Sequence, residues 1–139
     1  MIVSRTPLRI SFVGGGSDLP SYYRQQRGAV LSTSVDKYVY VTLNKKFDND
    51  IRLSYSVTEN VSDKKYIQHP IVRNTLELLQ MKSGLEITSI SDIPSSGSGL
   101  GSSSSFTVAV LHALYEFKGE RISKEELGRL SSHIEIDLC

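Results

Sequence analysis

The sequence has little of what marks secreted, membrane or nucleic-acid-binding proteins. Its 139 residues contain a single cysteine, Cys139, so no disulfide can form within the chain. A lone thiol fits a reducing compartment, and we expect a cytoplasmic protein. No stretch reaches the ~18 apolar residues of a membrane span, and Arg5, Pro7 and Arg9 interrupt the start where a signal peptide needs its apolar segment.

An excess of charge of one sign is also missing. Lysine and arginine total 16 against 15 aspartate and glutamate residues, a formal net charge of +1. We therefore expect neither nucleic acid nor an anionic membrane as a partner, although a local cluster of donors could bind a small anion. With 39% hydrophobic residues, the chain can bury one core and is too short for two ordinary domains, so residues 1–139 should form one unit.

Four stretches have the alternating or β-branched pattern of strands: residues 2–13, 29–43, 51–57 and 85–90. We expect the second and third to be antiparallel strands. Caps and apolar spacing predict helices after Ser17 or Asp18, from Pro70, from Leu100 or Gly101, and after Ser123. Strands mixed with helices, without a regular βαβ repeat, indicate an α+β fold with a mixed or antiparallel sheet packed on helices.

The last predicted helix has the most complete signature. Glu126 follows Ser123 at the spacing of a capping box. Its apolar stripe is expected to contain Leu127, Leu130, Ile134 and Leu138.

The segment over residues 92–105 is the most unusual part of the chain. It reads Asp-Ile-Pro-Ser-Ser-Gly-Ser-Gly-Leu-Gly-Ser-Ser-Ser-Ser and stands between a predicted strand and a predicted helix. Glycines let backbone N–H groups turn towards a ligand, and the start of a helix adds unpaired amides and a positive dipole end, so phosphate oxygens suit this place. A flexible Gly/Ser linker has a similar composition. Leu100 among the glycines and direct fusion to an apolar helix favour the anion-binding loop.

The two commonest nucleotide-binding loops do not fit this segment. A Walker A loop needs a lysine after its glycines, and none follows here. The dinucleotide fingerprint also fails, because Gly97 and Gly99 are followed by Gly101 and then Ser102. Such a loop must hold phosphates with backbone amides and serine hydroxyls, while a divalent cation supplies the neutralising charge.

Two motifs resemble those of one family. Residues 94–103 resemble the Pro-x-x-x-Gly-Leu-Gly-Ser-Ser signature of the GHMP kinases, the superfamily of galactokinase, homoserine kinase and mevalonate kinase. Residues 7–18 resemble the first motif of that family, which leads from a strand into a substrate-binding turn. The resemblance implies a GHMP kinase amino-terminal domain, similar to domain 2 of ribosomal protein S5, that binds ATP and Mg²⁺ and phosphorylates a small molecule.

The resemblance also implies roles for individual residues. Arg9 would be catalytic, and Asp18 would bind sugar hydroxyls together with the substrate-binding turn at Gly15, Gly16 and Ser17. The ATP phosphates would contact Ser96, Gly97, Ser98, Gly99, Leu100, Gly101, Ser102, Ser103 and Ser104. The Mg²⁺ ligands would be Ser102, Ser103 and Glu135. Considered alone, Arg9 is typical of a solvated strand residue and Asp18 of a helix cap. The two motifs together favour the functional roles instead.

At one place the sequence departs from the galactokinase-like members of the family, which limits the subgroups that it resembles. Galactokinase-like proteins carry Glu-His where this chain has Gly15-Gly16, so the sugar contacts of a galactose site are not expected. The glycine-rich forms of both motifs are similar to D-glycero-D-manno-heptose 7-phosphate kinases, which phosphorylate the anomeric hydroxyl to give a 1,7-bisphosphate. A fucokinase-like or other sugar kinase is the alternative within the enzyme class.

The resemblance covers the whole chain but only about half of a kinase of this family. The family's catalytic aspartate belongs to a segment beyond Glu135, and a carboxy-terminal domain follows it. We therefore expect an amino-terminal ATP-binding domain, truncated before both, that is inactive alone. The remaining alternatives are an RNA-contacting module of the same fold, which the net charge disfavours, and a fragment of little function that self-associates through an uncovered interface.

Overall fold

The four predicted strand regions and one further strand form a five-stranded sheet in the computed structural model, which describes residues 1–94 and 99–139. The strands are β1 (Ile2–Val13), β2 (Leu31–Lys45), β3 (Ile51–Ser54), β4 (Thr58–Val61) and β5 (Leu85–Ser91). Their order across the sheet is β1-β2-β5-β3-β4. The predicted third strand region, residues 51–57, contains β3 and ends before β4, which was not predicted; β3 and β4 form an antiparallel hairpin.

The sheet is mixed because of where β5 lies. β1 pairs with β2, and β2 with β5, in antiparallel fashion. β3 is parallel to β5, with Ile51 opposite Leu85. The chain between β3 and β5 contains a helix, and a crossover of this kind is what a parallel pair requires. The second and third predicted strand regions are therefore separated by β5 and are not neighbours.

The helices are α1 (Pro20–Tyr23), α2 (Pro70–Leu78), α3 (Ser102–Lys118) and α4 (Lys124–His133). A short 3₁₀ turn lies at Lys64–Tyr66, and α4 continues into a π-helical turn at Ile134–Leu138. No helix in the described part of the chain is long and apolar enough to cross a membrane.

The predicted helix caps have different outcomes. Ser123 caps α4 as predicted, since its Oγ accepts from the backbone N–H of Glu126 at 3.1 Å. The predicted cap at Ser17 or Asp18 is wrong, because the N-cap of α1 is Leu19 and no side chain caps that helix.

The core lies between one face of the sheet and the helices. Alternate residues of the central strands point into it and meet the buried face of α3, which contains Phe106, Ala109, Val110, Ala113 and Leu114. The exposed surface of Leu111 and of Ile134 is 0%, and burying side chains of this size stabilises the fold by about 1.5–3 kcal/mol each. Leu138 was predicted to belong to the apolar stripe, but it is 42% exposed because the helix widens into the π turn from Ile134 onwards.

The edge strand β1 positions the site. Its pairing with β2 is irregular between Pro7 and Arg9, where Leu8 is fully buried. α3 packs across β1 and β2. The irregularity therefore brings Arg9 to the beginning of α3.

Candidate functional site

The site begins with the backbone of Gly101, the N-cap of α3. Its φ of 69° and ψ of 32° lie in the left-handed region, which glycine adopts without steric cost. Gly99 also has a positive φ, 65°. Two left-handed residues so close together turn the chain sharply into α3, and the positive end of the helix dipole faces the loop.

Arg9 packs directly on this turn. Its backbone N–H donates to the carbonyl of Leu100 at 3.0 Å. A Cβ placed on Gly101 would lie 3.0 Å from Nε of Arg9, so the arginine side chain covers the face of Gly101 where a larger residue would need space. Among the described residues no carboxylate forms an ion pair with Arg9. A cation and a helix N-terminus therefore meet at one place, which suits an anionic ligand.

The loop is tied to the sheet on both sides. Before it, Oδ2 of Asp92 accepts from the N–H of Tyr38 at 2.8 Å, and the N–H of Asp92 donates to the Tyr38 carbonyl at 3.0 Å. After it, the buried hydroxyl of Ser105 donates to the carbonyl of Pro7 at 2.9 Å. The predicted phosphate-binding residues Ser96, Gly97 and Ser98 lie outside the described part of the chain.

Glu135, the predicted metal ligand, reaches the first turn of α3. Its Oε2 accepts from Oγ of Ser104 at 3.1 Å, and its Oε1 accepts from Oγ of Ser131 at 3.1 Å. The sequence predicted Ser102 and Ser103 as the hydroxyl partners at the metal, and the pairing of Glu135 with Ser104 is an addition from the structure.

The hydrogen-bond partners that the structure gives the Glu135 carboxylate in residues 1–94 and 99–139 are the hydroxyls of Ser104 and Ser131, and oxygen is a hard ligand atom. In the described residues, no three histidine, cysteine, aspartate or glutamate side chains come together as a metal site. A cation here would bind one carboxylate, serine hydroxyls and oxygens of a bound phosphate. This mixture fits Mg²⁺, which usually takes one or two carboxylates together with substrate phosphates.

A cleft of about 490 Å³ opens beside the first turn of α3. Ser102 and Ser103 lie at its edge. On its wall are three rings, Tyr55, His69 and Phe106, which we call the aromatic wall. The ring centroids of Tyr55 and His69 are 4.8 Å apart and meet edge to face, and those of His69 and Phe106 are 5.0 Å apart.

Glu59 is hydrogen-bonded to two residues of the aromatic wall, Tyr55 and His69. It accepts from the hydroxyl of Tyr55 at 2.9 Å and from the backbone N–H groups of Gln68 and His69 at 2.6 and 3.3 Å. Burial lowers the pKa of His69 more than the charge of Glu59 raises it, so the ring is neutral at pH 7. Burial and the Glu59 carboxylate together raise the pKa of Tyr55. The sequence analysis did not find these residues, and no motif connects them.

The predicted substrate-binding turn lies beyond the end of β1. The φ of Gly14 is 83°, and a side chain there would collide with the carbonyl of Ala29. Ser17 stabilises this turn, because its Oγ is 2.7 Å from the Gly14 carbonyl and 3.1 Å from that of Ala29. This is the contact that Ser17 makes instead of capping α1.

The other predicted sugar-binding residues, Gly15, Gly16 and Asp18, are exposed. A Cβ on Gly16 would meet nothing within 4 Å, so the turn has open space around it. Among the described residues no hydrogen bond or ion pair joins Asp18 to Arg9. The structure thus brings Arg9, Gly101, Ser104 and Glu135 to the start of α3.

The fold and the loop together define a class of domain in which a glycine-rich turn directly precedes a buried helix. Within that class the chain belongs to the GHMP kinases, since the model of the GHMP kinase N-terminal domain matches residues 65–139. This confirms the family and the fold that the two motifs predicted.

Individual relatives agree with this assignment. The chain is 30% identical to D-glycero-alpha-D-manno-heptose 7-phosphate kinase of Campylobacter jejuni, over 96% of this chain and 43% of that protein. It is 25% identical to the bifunctional fucokinase/GDP-fucose pyrophosphorylase of Arabidopsis thaliana, over 89% of this chain and 14% of that protein. A crystal structure of D-glycero-D-manno-heptose 1-phosphate kinase from Bacteroides thetaiotaomicron matches with a TM-score of 0.86 and 25% identity, over 97% of this chain and 48% of that one. The chain spans less than half the length of each of these relatives.

Proposed function

We propose that this protein is the ATP-binding part of a kinase that phosphorylates a sugar phosphate. The observation that carries the proposal is the position of Arg9 against the backbone of Gly101 at the start of α3. A guanidinium offers a fixed fork of donors to phosphate oxygens, and the helix N-terminus favours the same negative charge. The family assignment supports this interpretation of the geometry.

The loop and the cleft together suit a whole nucleotide. Ser102 and Ser103 belong both to the predicted phosphate-binding loop and to the edge of the cleft. A volume of about 490 Å³ falls within the range of about 300–1,000 Å³ of small-molecule sites. The phosphates would lie on the loop, and the base would lie against the aromatic wall, where ring contacts favour a flat aromatic ligand.

The metal ion of the proposed reaction is Mg²⁺. Glu135 would hold it together with the hydroxyls of Ser102 and Ser103. When bound, it neutralises charge on the phosphate oxygens.

Phosphoryl transfer joins an acceptor hydroxyl oxygen to the γ-phosphorus and breaks the bond from that phosphorus to the β–γ bridging oxygen, so that ADP leaves. Arg9 would offset the charge that builds up on the transferred group, and Asp18, Gly15, Gly16 and Ser17 would orient the sugar. The family pattern puts the base that takes the hydroxyl proton in a segment after Glu135 that this sequence does not contain. A general base adds about 10²–10⁴-fold to such a rate, so we expect very slow turnover from residues 1–139 alone.

The acceptor we propose is D-glycero-D-manno-heptose 7-phosphate, phosphorylated at its anomeric hydroxyl to the 1,7-bisphosphate. The identity to the Campylobacter jejuni enzyme over nearly the whole chain supports this choice. Fucose is the second candidate, because a bifunctional fucokinase/GDP-fucose pyrophosphorylase is also similar to this chain. Since ATP is the donor, we place the reaction in the cytoplasm.

Calorimetric titration with the ATP analogue AMPPNP in the presence of Mg²⁺ tests the nucleotide site. Arg9→Ala should weaken binding by about 10-fold or more, because charge-assisted hydrogen bonds to phosphate contribute about 1.5–3 kcal/mol. Arg5→Ala is the matched control: Arg5 lies on the same strand, over the ring of Tyr38 at 4.5 Å, and its loss should leave the affinity unchanged. Equal effects of both variants, or no binding by the unaltered chain, would contradict the proposal.

Thermal unfolding with candidate sugars tests the acceptor. Heptose 7-phosphate should raise the melting temperature of the AMPPNP complex more than fucose or galactose does, because a ligand that binds the folded state stabilises it. ADP formation from heptose 7-phosphate at an ordinary kinase rate by these 139 residues would refute the expected inactivity.

A further inference from the structure

The carboxylate of Glu135 is held at both of its oxygens. Ser104, in the first turn of α3, donates to Oε2, and Ser131, near the end of α4, donates to Oε1, each at 3.1 Å. Two different helices therefore fix one carboxylate. Glu135 is only partly buried, so its other lone pairs can reach a ligand.

The two serines differ in their surroundings. Ser131 is buried, with 4% of its surface exposed, whereas Ser104 is less buried and belongs to the loop residues predicted to contact phosphate. If the hydroxyl of Ser104 turned towards a bound phosphate, its bond to Oε2 would be lost. The bond from Ser131 would remain, and because Ser131 is closed to solvent, water could not easily take its place.

The backbone that carries Glu135 is fixed independently of Ser131. Ile134, next to it, is fully buried. On the other side, Nδ2 of Asn74 on α2 donates to the carbonyl of Leu138 at 2.7 Å and so ties the π turn to α2. Turns of this kind are frequent at functional sites. With the backbone held, the direction of the carboxylate depends on its hydrogen-bond partners.

We propose that Ser131 is a positioning residue for the metal ion of this site. By holding Oε1 it directs Oε2 of Glu135 towards the first turn of α3, where the phosphates of ATP would bring Mg²⁺. This inference rests on the proposed function. Partners that orient a metal ligand typically contribute 10–100-fold to metal affinity.

The test compares AMPPNP affinity in Mg²⁺ with AMPPNP affinity in EDTA, both by calorimetry. Their ratio measures the gain in affinity that the metal provides, and it does not depend on catalysis. Ser131→Ala should reduce this gain by about 10-fold and leave the affinity in EDTA unchanged. Ser132→Ala removes the exposed neighbouring hydroxyl on the same helix and should change neither value.

Further variants separate positioning from a general loss of structure. Ser131→Thr keeps the donor and should restore the gain, whereas Ser131→Cys keeps the volume with a weak donor and should lose it. In Glu135→Gln, adding Ser131→Ala should cause no further loss, because both changes act on one contact. A wild-type chain that binds no AMPPNP would overturn the proposed function and this inference with it. If the wild-type chain binds AMPPNP more tightly with Mg²⁺, and Ser131→Ala and Ser131→Cys keep the same gain, this inference alone would be overturned.

Discussion

Gly101→Ala should damage the candidate site through two separate effects. At a φ of 69° an alanine pays about 1–2 kcal/mol for the left-handed conformation. The new Cβ would also lie 3.0, 3.1 and 3.2 Å from Nε, Cζ and Cγ of Arg9. Because these atoms belong to a flexible side chain, the arginine should move and the backbone should stay. The fold would survive, and the guanidinium would leave the place where we expect phosphate.

The size of each effect can be estimated and measured separately. A loss of about 1–2 kcal/mol corresponds to a fall in melting temperature of about 3–7 °C for a chain of 139 residues. Displacing Arg9 from phosphate should weaken AMPPNP binding by about 10-fold or more, measured by calorimetry with Mg²⁺.

Gly119→Ala is a matched control at the opposite end of the same helix. Gly119 has a φ of 73°, and a Cβ there would meet nothing within 4 Å. This variant should lose similar stability from backbone strain and keep its nucleotide affinity. Our reasoning would be refuted if Gly101→Ala bound AMPPNP as tightly as Gly119→Ala does, or if Gly119→Ala lost affinity to the same extent.

Three further predictions concern stability. Ser123→Ala should cost about 1 kcal/mol in urea unfolding, because it removes the cap of α4; an unchanged midpoint would contradict the role of the cap. Gln80→Gly should raise the unfolding free energy by about 0.5–1 kcal/mol, because Gln80 has a φ of 50° just after α2, and a lower midpoint would show that its side chain matters more than its strain. The pKa of His69 in the folded state is lowered from 6.5, so the unfolded chain binds the proton more tightly and stability should fall as the pH drops below about 6.5. His69→Phe should flatten that dependence, and an unaltered slope would exclude His69 as its source.

The starts of α2, α3 and α4 were predictable because they depend on a few neighbouring residues. Pro70 is the first residue of α2, as its fixed φ and missing N–H favour. Ser123 caps α4 through an amide three residues away. Gly101 precedes α3 as expected from the glycines before an apolar helix. Each of these features is decided within about one turn of the chain.

Features that depend on distant parts of the chain were not predictable in the same way. The position of β5 between β2 and β3 follows from the path of α2, and an alternating pattern within a strand does not specify its neighbours. Ser17 was expected to cap α1, but the carbonyl of Ala29, brought close by the turn at Gly14, offers its hydroxyl another partner. Leu138 has correct helical spacing and is exposed because the helix widens before it.

The candidate site shows the same division. Arg9, Gly101 and Glu135 could be named from motifs, because the family resemblance transfers roles residue by residue. The hydrogen bonds from Ser104 and Ser131 to Glu135 join side chains of different helices, so the motifs could not show them. The aromatic wall was missed for a related reason. Tyr55 follows β3, His69 precedes α2 and Phe106 lies on α3, so only the packing of these elements brings the three rings together.

The join between β1 and α3 explains why residues of two motifs far apart in sequence lie side by side. The N–H of Arg9 bonds to the carbonyl of Leu100, and the hydroxyl of Ser105 bonds to the carbonyl of Pro7, so the two hydrogen bonds enclose the irregular part of β1. Because Leu8 is buried between them, the strand cannot shift without uncovering an apolar side chain. The backbone position of Arg9 is therefore fixed by the core, and the loop needs glycine at residue 101 both for its backbone conformation and for the space that the Arg9 side chain fills. A substitution in β1 should consequently alter the start of α3, and the reverse should also hold. The effects of Arg9→Ala and Gly101→Ala on nucleotide affinity should therefore not add when the two substitutions are combined.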